Sequence, residues 1–371
     1  MKIIILDTYY PGFLQSFWRT HLSLKSKSYL SQQRALLGEC FGTSDYYSYN
    51  LKKLGHQAID IIANDQVSQF TWAKEHHLTL KQNLLLDELR RLPYAYKLLG
   101  RSSWVDQIVL SQIDFYQPDV VYLQDLSVLT PKTLRAIKAK GILLVGQIAC
   151  PLPSMVNLKE FALILTSFPH YVKLFHQLGI DSEYFKIGFE SRLLDKVKTN
   201  KRIYDVAFIG SFSPYHLAGT KILESVASRI PIHVWGQGLE FLSPSSPLRK
   251  HYHGEAWGRD MYKILGASKI VINRHISSSA NYANNMRLYE STGMGAMLIT
   301  DAKDNLGELF TQGKEVVAYH GSQDLVSLIQ YYLVNPRLRQ KIATAGQRRT
   351  LRDHTYQKRM QELTAILERY L

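Results

Sequence analysis

Short apolar runs, many of them β-branched, alternate along the chain with longer segments whose apolar residues recur at helical spacing. Lys2–Leu6 is the first such run and predicts a buried strand that delivers Asp7 and the turn-forming Pro11-Gly12 into a loop. Residues 13–38 predict helix, Gly42-Thr43-Ser44-Asp45 resets the chain, and a further helix runs to Leu54. Ala58–Ala63 predicts the second strand, and residues 66–116 predict mostly helix with breaks at Pro93 and Gly100. Val120–Gln124, Ile142–Gln147, Ala162–Thr166 and a short run near Tyr184–Ile187 complete the strands of this half, with a helix at 131–139. Strand and helix in alternation predict a parallel, doubly wound sheet.

At Ser191–Ile203 the pattern pauses in a charged stretch without strand character, a short connector. It then restarts with strands at Val206–Ile209, Ile232–Trp235, Lys269–Asn273, Ala296–Thr300 and Val316–Tyr319. Helices fall at 217–228, 259–267, 285–292, 322–334, 336–348 and from about 354 to the end. The chain is therefore expected to be α/β, with two doubly wound Rossmann-like domains at 1–195 and 204–352 and a terminal helix at 353–371. A length of 371 residues suits two domains that each bury a core.

The densest chemistry lies in Asn281–Asp301. Asn284 and Asn285 precede a good helical segment, Met286–Thr292, and Asn is a favoured N-cap. Gly293 and Gly295 end that helix before a short buried strand. Free N–H groups and the positive dipole end make such a helix start a site for a phosphate. Arg287 in its first turn supplies a cation, and Glu290 lies one turn further on the same face. Together they suit a diphosphate and a ribose diol; the plainer alternative is an exposed (i, i+3) ion pair.

This stretch, "NNMRLYESTGMGAMLITD", resembles a motif of the CgeB-like group-1 glycosyltransferases, relatives of the GT-B sugar transferases. The resemblance continues through "YDVAFIGSFSPYH" (Tyr204–His216), "HGEAWGRDMY" (His253–Tyr262), "KIVIN" (Lys269–Asn273) and "HTYQKRM" (His354–Met360), so it covers nearly all of 204–371. It implies the GT-B architecture, with an N-terminal acceptor domain and a C-terminal nucleotide-sugar donor domain facing a central cleft. It also implies that the last helix crosses back to the first domain. On this resemblance Glu290 binds the donor ribose, the helix start faces the diphosphate, and the nucleobase lies near His253–Gly258. Where many retaining relatives carry a second Glu, eight residues before the first, this chain has Tyr282.

Other candidates come from position. Gly210-Ser211 follows a strand and leads into a helix; Trp257 precedes another helix and suits stacking on a base; Arg274 and His275 follow Asn273 at a strand end. An inverting transfer needs a general base. Asp125 is the first candidate and Asp7 the second, because both fall just beyond strands of the first half. The sequence contains no Asp-x-Asp, and His251 and His253 lack partners at metal spacing, so metal-independent transfer with no cofactor beyond the co-substrate is expected.

Composition adds bounds. An apolar fraction of 46% with 20% charged residues belongs to a globular domain protein, and no run reaches the ~18 residues of a membrane span. Cys40 and Cys150 form no disulfide or zinc pattern, and the five apolar residues before Asp7 are too few for a signal peptide, so a cytoplasmic location is expected. The net charge of +14 is concentrated late, at Arg337, Arg339, Lys341, Arg348, Arg349, Arg352, Lys358 and Arg359. With no nucleic-acid-binding motif, nucleic acid is not an expected partner, whereas phosphate-bearing molecules and the anionic inner membrane face are. The expected activity is transfer of a sugar from a nucleotide-sugar to a hydroxyl of a glycan, lipid-linked or protein acceptor, in cell-surface glycan or glycoconjugate synthesis. A nucleotide-sugar epimerase and a noncatalytic nucleotide- or glycan-binding module are the alternatives.

Overall fold

The computed structural model describes residues 1–81, 103–153, 158–199 and 201–371. The helix breaks expected at Pro93 and Gly100 lie outside these residues. Two compact units emerge: Met1–Phe185 together with Met360–Leu371, and Lys186–Arg359.

The first unit is built on six parallel strands: β1 (Lys2–Asp7), β2 (Gln57–Ile62), β3 (Val120–Leu123), β4 (Leu143–Ile148), β5 (Leu163–Thr166) and β6 (Ser182–Tyr184). Their order is β2-β1-β3-β4-β5-β6. Ile3, Ile4, Ile5 and Leu6 are all buried, as a central parallel strand covered on both faces requires. β2, at the edge, starts on exposed Gln57. The last strand falls two residues before the expected Tyr184–Ile187, since Ser182 to Tyr184 pair with Ile164 to Thr166.

The helix expected over 13–38 is three pieces: Pro11–Thr20, a 3₁₀ turn at Leu22–Ser26, and Tyr29–Gly38. Two devices break it. Ser28 caps the third piece by accepting from Ser31 N–H, and the buried Gln32 amide donates to the carbonyls of Leu24, Lys25 and Lys27. In the chain's last helix, Tyr356–Leu367, Thr364 Oγ1 lies 3.1 Å from His56 Nε2, and Arg369 just beyond it pairs with Glu183.

The second unit carries five parallel strands, β7 (Tyr204–Ile209), β8 (His233–Trp235), β9 (Ser268–Asn273), β10 (Met297–Asp301) and β11 (Val317–Tyr319), in the order β11-β10-β9-β7-β8. Arg202 fastens its lower edge, donating to the carbonyls of Leu265, Gly266, Ser268, Met294 and Gly295. The helix expected at 336–348 runs on to Asp353. In both sheets the order reverses beside the first strand, between β1 and β3 and between β7 and β9. Ligands of open α/β sheets bind beyond the carboxyl ends of strands at such a reversal.

Candidate functional site

In the second unit the reversal is framed by Ile209-Gly210-Ser211 after β7 and Asn273-Arg274-His275 after β9. The helix Met286–Gly293 begins at this point. Asn285 is its N-cap: the side chain accepts from Leu288 N–H at 3.2 Å, while Nδ2 donates to Asn273 Oδ1 and to Arg274 C=O. That ties the helix start to the end of β9, and it leaves the first-turn N–H groups of Met286 and Arg287 without an acceptor among the described residues. Asn284, buried beside the cap, accepts from the Tyr289 hydroxyl at 2.8 Å.

Arg274 is 7% exposed and clamps the loop after β7. Its guanidinium donates to Ser211 C=O at 2.9 Å, to His216 C=O at 2.7 Å and to Thr220 Oγ1 at 2.7 Å. It also lies over the rings of Phe208 and Phe212. No carboxylate among the described residues pairs with it, and burial pulls its pKa down to about 10. Room for this side chain comes from Gly219, where a Cβ would sit 2.6 Å from Arg274 Cδ. Burial, with Arg274's charge second, pulls the neighbouring His216 down to about 4, so a neutral imidazole meets Ser213 Oγ at neutral pH.

Gly210 serves the sheet: its N–H bonds Trp235 C=O, and its carbonyl is approached so closely by Gly236 (φ +148°) that a Cβ there would lie 2.0 Å away. The glycines after β8 are thus needed for backbone against backbone.

Arg287 and Glu290 do pair, at 2.8 Å, yet the pair is not exposed: the side chains are 16% and 5% accessible. Arg287 Nε also donates to Ile209 C=O, which places it at the end of β7. Glu290 accepts from Tyr262 Oη at 3.2 Å on its other oxygen. Each carboxylate oxygen thus has one of these partners and a second lone pair beyond it. Trp257 is partly exposed at the start of the helix Gly258–Gly266 that carries Tyr262, with its indole N–H on Glu255.

One strand over, His275 Nδ1 lies 2.6 Å from Asp301 Oδ1, and Lys303 approaches the other oxygen at 3.4 Å. Burial alone would raise Asp301, but the hydrogen bond and charge of His275, with Lys303, hold its carboxyl below the usual range. The two residues sit 26 positions apart, and nothing in the local sequence announces the pair.

In the first unit the corresponding reversal is acidic. Asp7 ends β1 and accepts from Thr8 N–H at 2.7 Å; Asp125, just past β3, accepts from Thr8 Oγ1 at 2.9 Å and from Ser127 N–H and Oγ. Thr8 thus links the two carboxylates. Burial, helped by the charge of Asp125 and opposed by the Thr8 hydrogen bond, pushes Asp7 up to about 7. Among the described residues no group of three or more His, Cys, Asp or Glu could hold a metal ion.

Residues 219–365 match the model of a family described as glycosyl transferase-like. No curated protein matches the chain. Among solved structures, Anabaena Alr3699/HepE in complex with UDP-glucose aligns with a TM-score of 0.59 at 14% identity over 99% of both chains. A glycosyltransferase from Rickettsia africae aligns at 0.56 and 13% identity, over 98% of this chain and 97% of that one. Sucrose-phosphate synthase from Thermosynechococcus elongatus aligns at 0.57 and 8% identity, over 100% and 99%. The chain therefore has two parallel-sheet, Rossmann-like units of the GT-B type, and residues 219–365 are similar to a glycosyl transferase-like family.

Proposed function

We propose that the chain is a glycosyltransferase that moves a sugar from a nucleotide-sugar to a hydroxyl acceptor, with the donor held by Lys186–Arg359 and the acceptor by Met1–Phe185. The observation that carries this reading is the cationic reversal between β7 and β9. A buried guanidinium without a carboxylate partner, Arg287 and an open helix start gather at one spot, where a diphosphate supplies the missing negative charge. The UDP-glucose held by the similarly folded HepE supports a nucleotide-sugar as the ligand. Ser211, Gly210, Asn284 and Asn285 shape the diphosphate end, Glu290 accepts from the ribose, and Trp257 stacks on the base.

In this reading Asp7 is the general base, with Asp125 holding Thr8 in place beside it. A carboxyl poised at about 7 is half ionised at neutral pH and a stronger base than an ordinary Asp. It removes the acceptor hydroxyl proton as that oxygen bonds the anomeric carbon; the bond from that carbon to the diphosphate breaks, and its electrons leave with the nucleoside diphosphate. Arg274, Arg287 and the helix dipole stabilise that leaving charge, so the proposal includes turnover without a divalent metal and without a cofactor beyond the co-substrate. The acceptor is a glycan, lipid-linked or protein hydroxyl of cell-surface glycoconjugate synthesis.

The test is turnover of UDP-glucose and other nucleotide-sugars, with and without EDTA, alongside melting shifts with UDP. We expect a raised melting temperature with UDP and turnover that survives EDTA. Loss restored only by Mg²⁺ or Mn²⁺ overturns the metal-independent step. A nucleotide-induced shift without turnover of any donor makes the chain a binding module instead.

A further inference from the structure

A second basic surface lies in the first unit, away from the basic C-terminal helices. Residues 8–38 contain Arg19, Lys25, Lys27 and Arg34 and not a single Asp or Glu. All four cations are exposed, and none forms an ion pair among the described residues. The nearby acids are occupied otherwise: Asp65 accepts from Trp18 Nε1 and Ser68, and Glu75 from Tyr29 N–H. Interleaved with the cations are two large apolar side chains left in solvent, Leu22 at 64% exposure and Leu30 at 60%.

The turn that bears Leu22 is tied by hydrogen bonds to the helix that bears Leu30. Gln32, wholly buried, donates its amide to the carbonyls of Leu24, Lys25 and Lys27, while the side chains of Leu22, Lys25 and Lys27 stay exposed. The leucines contribute little to the core from there, and four like charges along one short stretch with no acid among them disfavour one another. Both costs vanish on a surface that is apolar beneath and anionic on top.

The C-terminal run of cations differs. Arg339 is bound to the carbonyls of Tyr332 and Leu333, Arg349 to Leu309 C=O, Arg359 to Asp353 C=O, and Arg352 and Lys358 gather on Asp353. Five of the eight thus serve the fold, leaving Arg337, Lys341 and Arg348 to solvent.

We propose that the Leu22–Ser26 turn and its flanks, Arg19 to Arg34, form a peripheral docking surface for a lipid bilayer with anionic headgroups. The lysines and arginines meet the headgroup charge while Leu22 and Leu30 enter the acyl boundary. This goes beyond the transferase reading and does not depend on it.

The test is co-sedimentation of the full chain with phosphatidylcholine vesicles and with vesicles containing phosphatidylglycerol, at low and high salt. Wild type is expected to bind the anionic vesicles alone. Lys25→Ala/Lys27→Ala should weaken binding by roughly five-fold per charge. Leu22→Ser/Leu30→Ser should release the protein at the salt concentration where wild type still holds. Lys341→Ala/Arg348→Ala should bind as wild type, and melting temperatures of all variants should match because every altered side chain is exposed. Equal binding to both vesicle types, or loss in the C-terminal variant but not the N-terminal ones, overturns the proposal. So does binding to a single-stranded nucleic acid as tight as to anionic vesicles.

Discussion

The two sheet reversals have the same topology and opposite electrostatics. Between β1 and β3 stand Asp7 and Asp125, bridged by Thr8; between β7 and β9 stand Arg274, Arg287 and the start of a helix. One strand order therefore delivers two chemistries, because the loops past the strand ends, not the strands, carry the charge. Burial also acts in opposite senses. It raises Asp7 to about 7, whereas it lowers Arg274 only to about 10 and leaves it charged. On the proposed reading, proton removal belongs to the first end and anion stabilisation to the second.

The hardest blow to this contrast is Asp7→Asn. If Asp7 is the base, kcat should fall about 10²–10⁴-fold, while UDP affinity stays unchanged because the groups proposed to hold the donor belong to the other unit. Wild-type kcat/KM should climb with pH and level off above about 7, where the carboxyl is ionised. A variant of undiminished kcat would transfer the role elsewhere, Asp125→Asn being the next to measure.

Glu290→Gln probes the cationic end. An exposed (i, i+3) pair would be worth about 0.2–0.5 kcal/mol, but this one is buried, and stranding Arg287 should cost about 3–5 kcal/mol. Denaturant unfolding separates the two values. A loss below about 1 kcal/mol would mean that water reaches the pair.

Asp60 sharpens the comparison by being acidic, buried and outside either reversal. Ser48 bonds one of its oxygens, the other has no partner, and burial pushes it up to about 7 from 3.8. A raised carboxyl stabilises the fold fully below the unfolded value and loses that contribution as pH climbs from about 4 through 7. Asp60→Asn should therefore gain stability relative to wild type across that window, by at most about 4 kcal/mol at 1.36 per unit. A pH-independent difference between the two proteins would show that Asp60 stays ionised throughout.

Much of this architecture was legible in the chain. Runs such as Ile3-Ile4-Ile5 and Val120-Val121, bounded by polar residues, announce central strands, and Asn285 announces a cap. What escaped depends on partners distant in sequence. Gln32 breaks a helix that local propensity would continue, because carbonyls five to eight residues back claim its amide. The fit of Arg274 against Gly219 joins residues 55 apart, and Tyr262 reaches Glu290 across 28. The same holds for burial: (i, i+3) spacing puts Arg287 and Glu290 together, but only packing decides how little of them stays accessible. Of the site, then, the residue types and strand ends were readable, and their mutual hydrogen bonding was not.

The most direct test of the cationic end is calorimetric titration with UDP and with uridine, on wild type, Arg287→Met and Arg274→Gln, each first checked for cooperative unfolding. Charge-assisted hydrogen bonds of about 1.5–3 kcal/mol correspond to roughly 10–100-fold in affinity. Wild type should thus prefer UDP over uridine by at least that factor, and both substitutions should erode the preference while uridine binding holds. Equal affinity of wild type for UDP and uridine, or a preference untouched in both folded variants, would contradict a diphosphate site between β7 and β9.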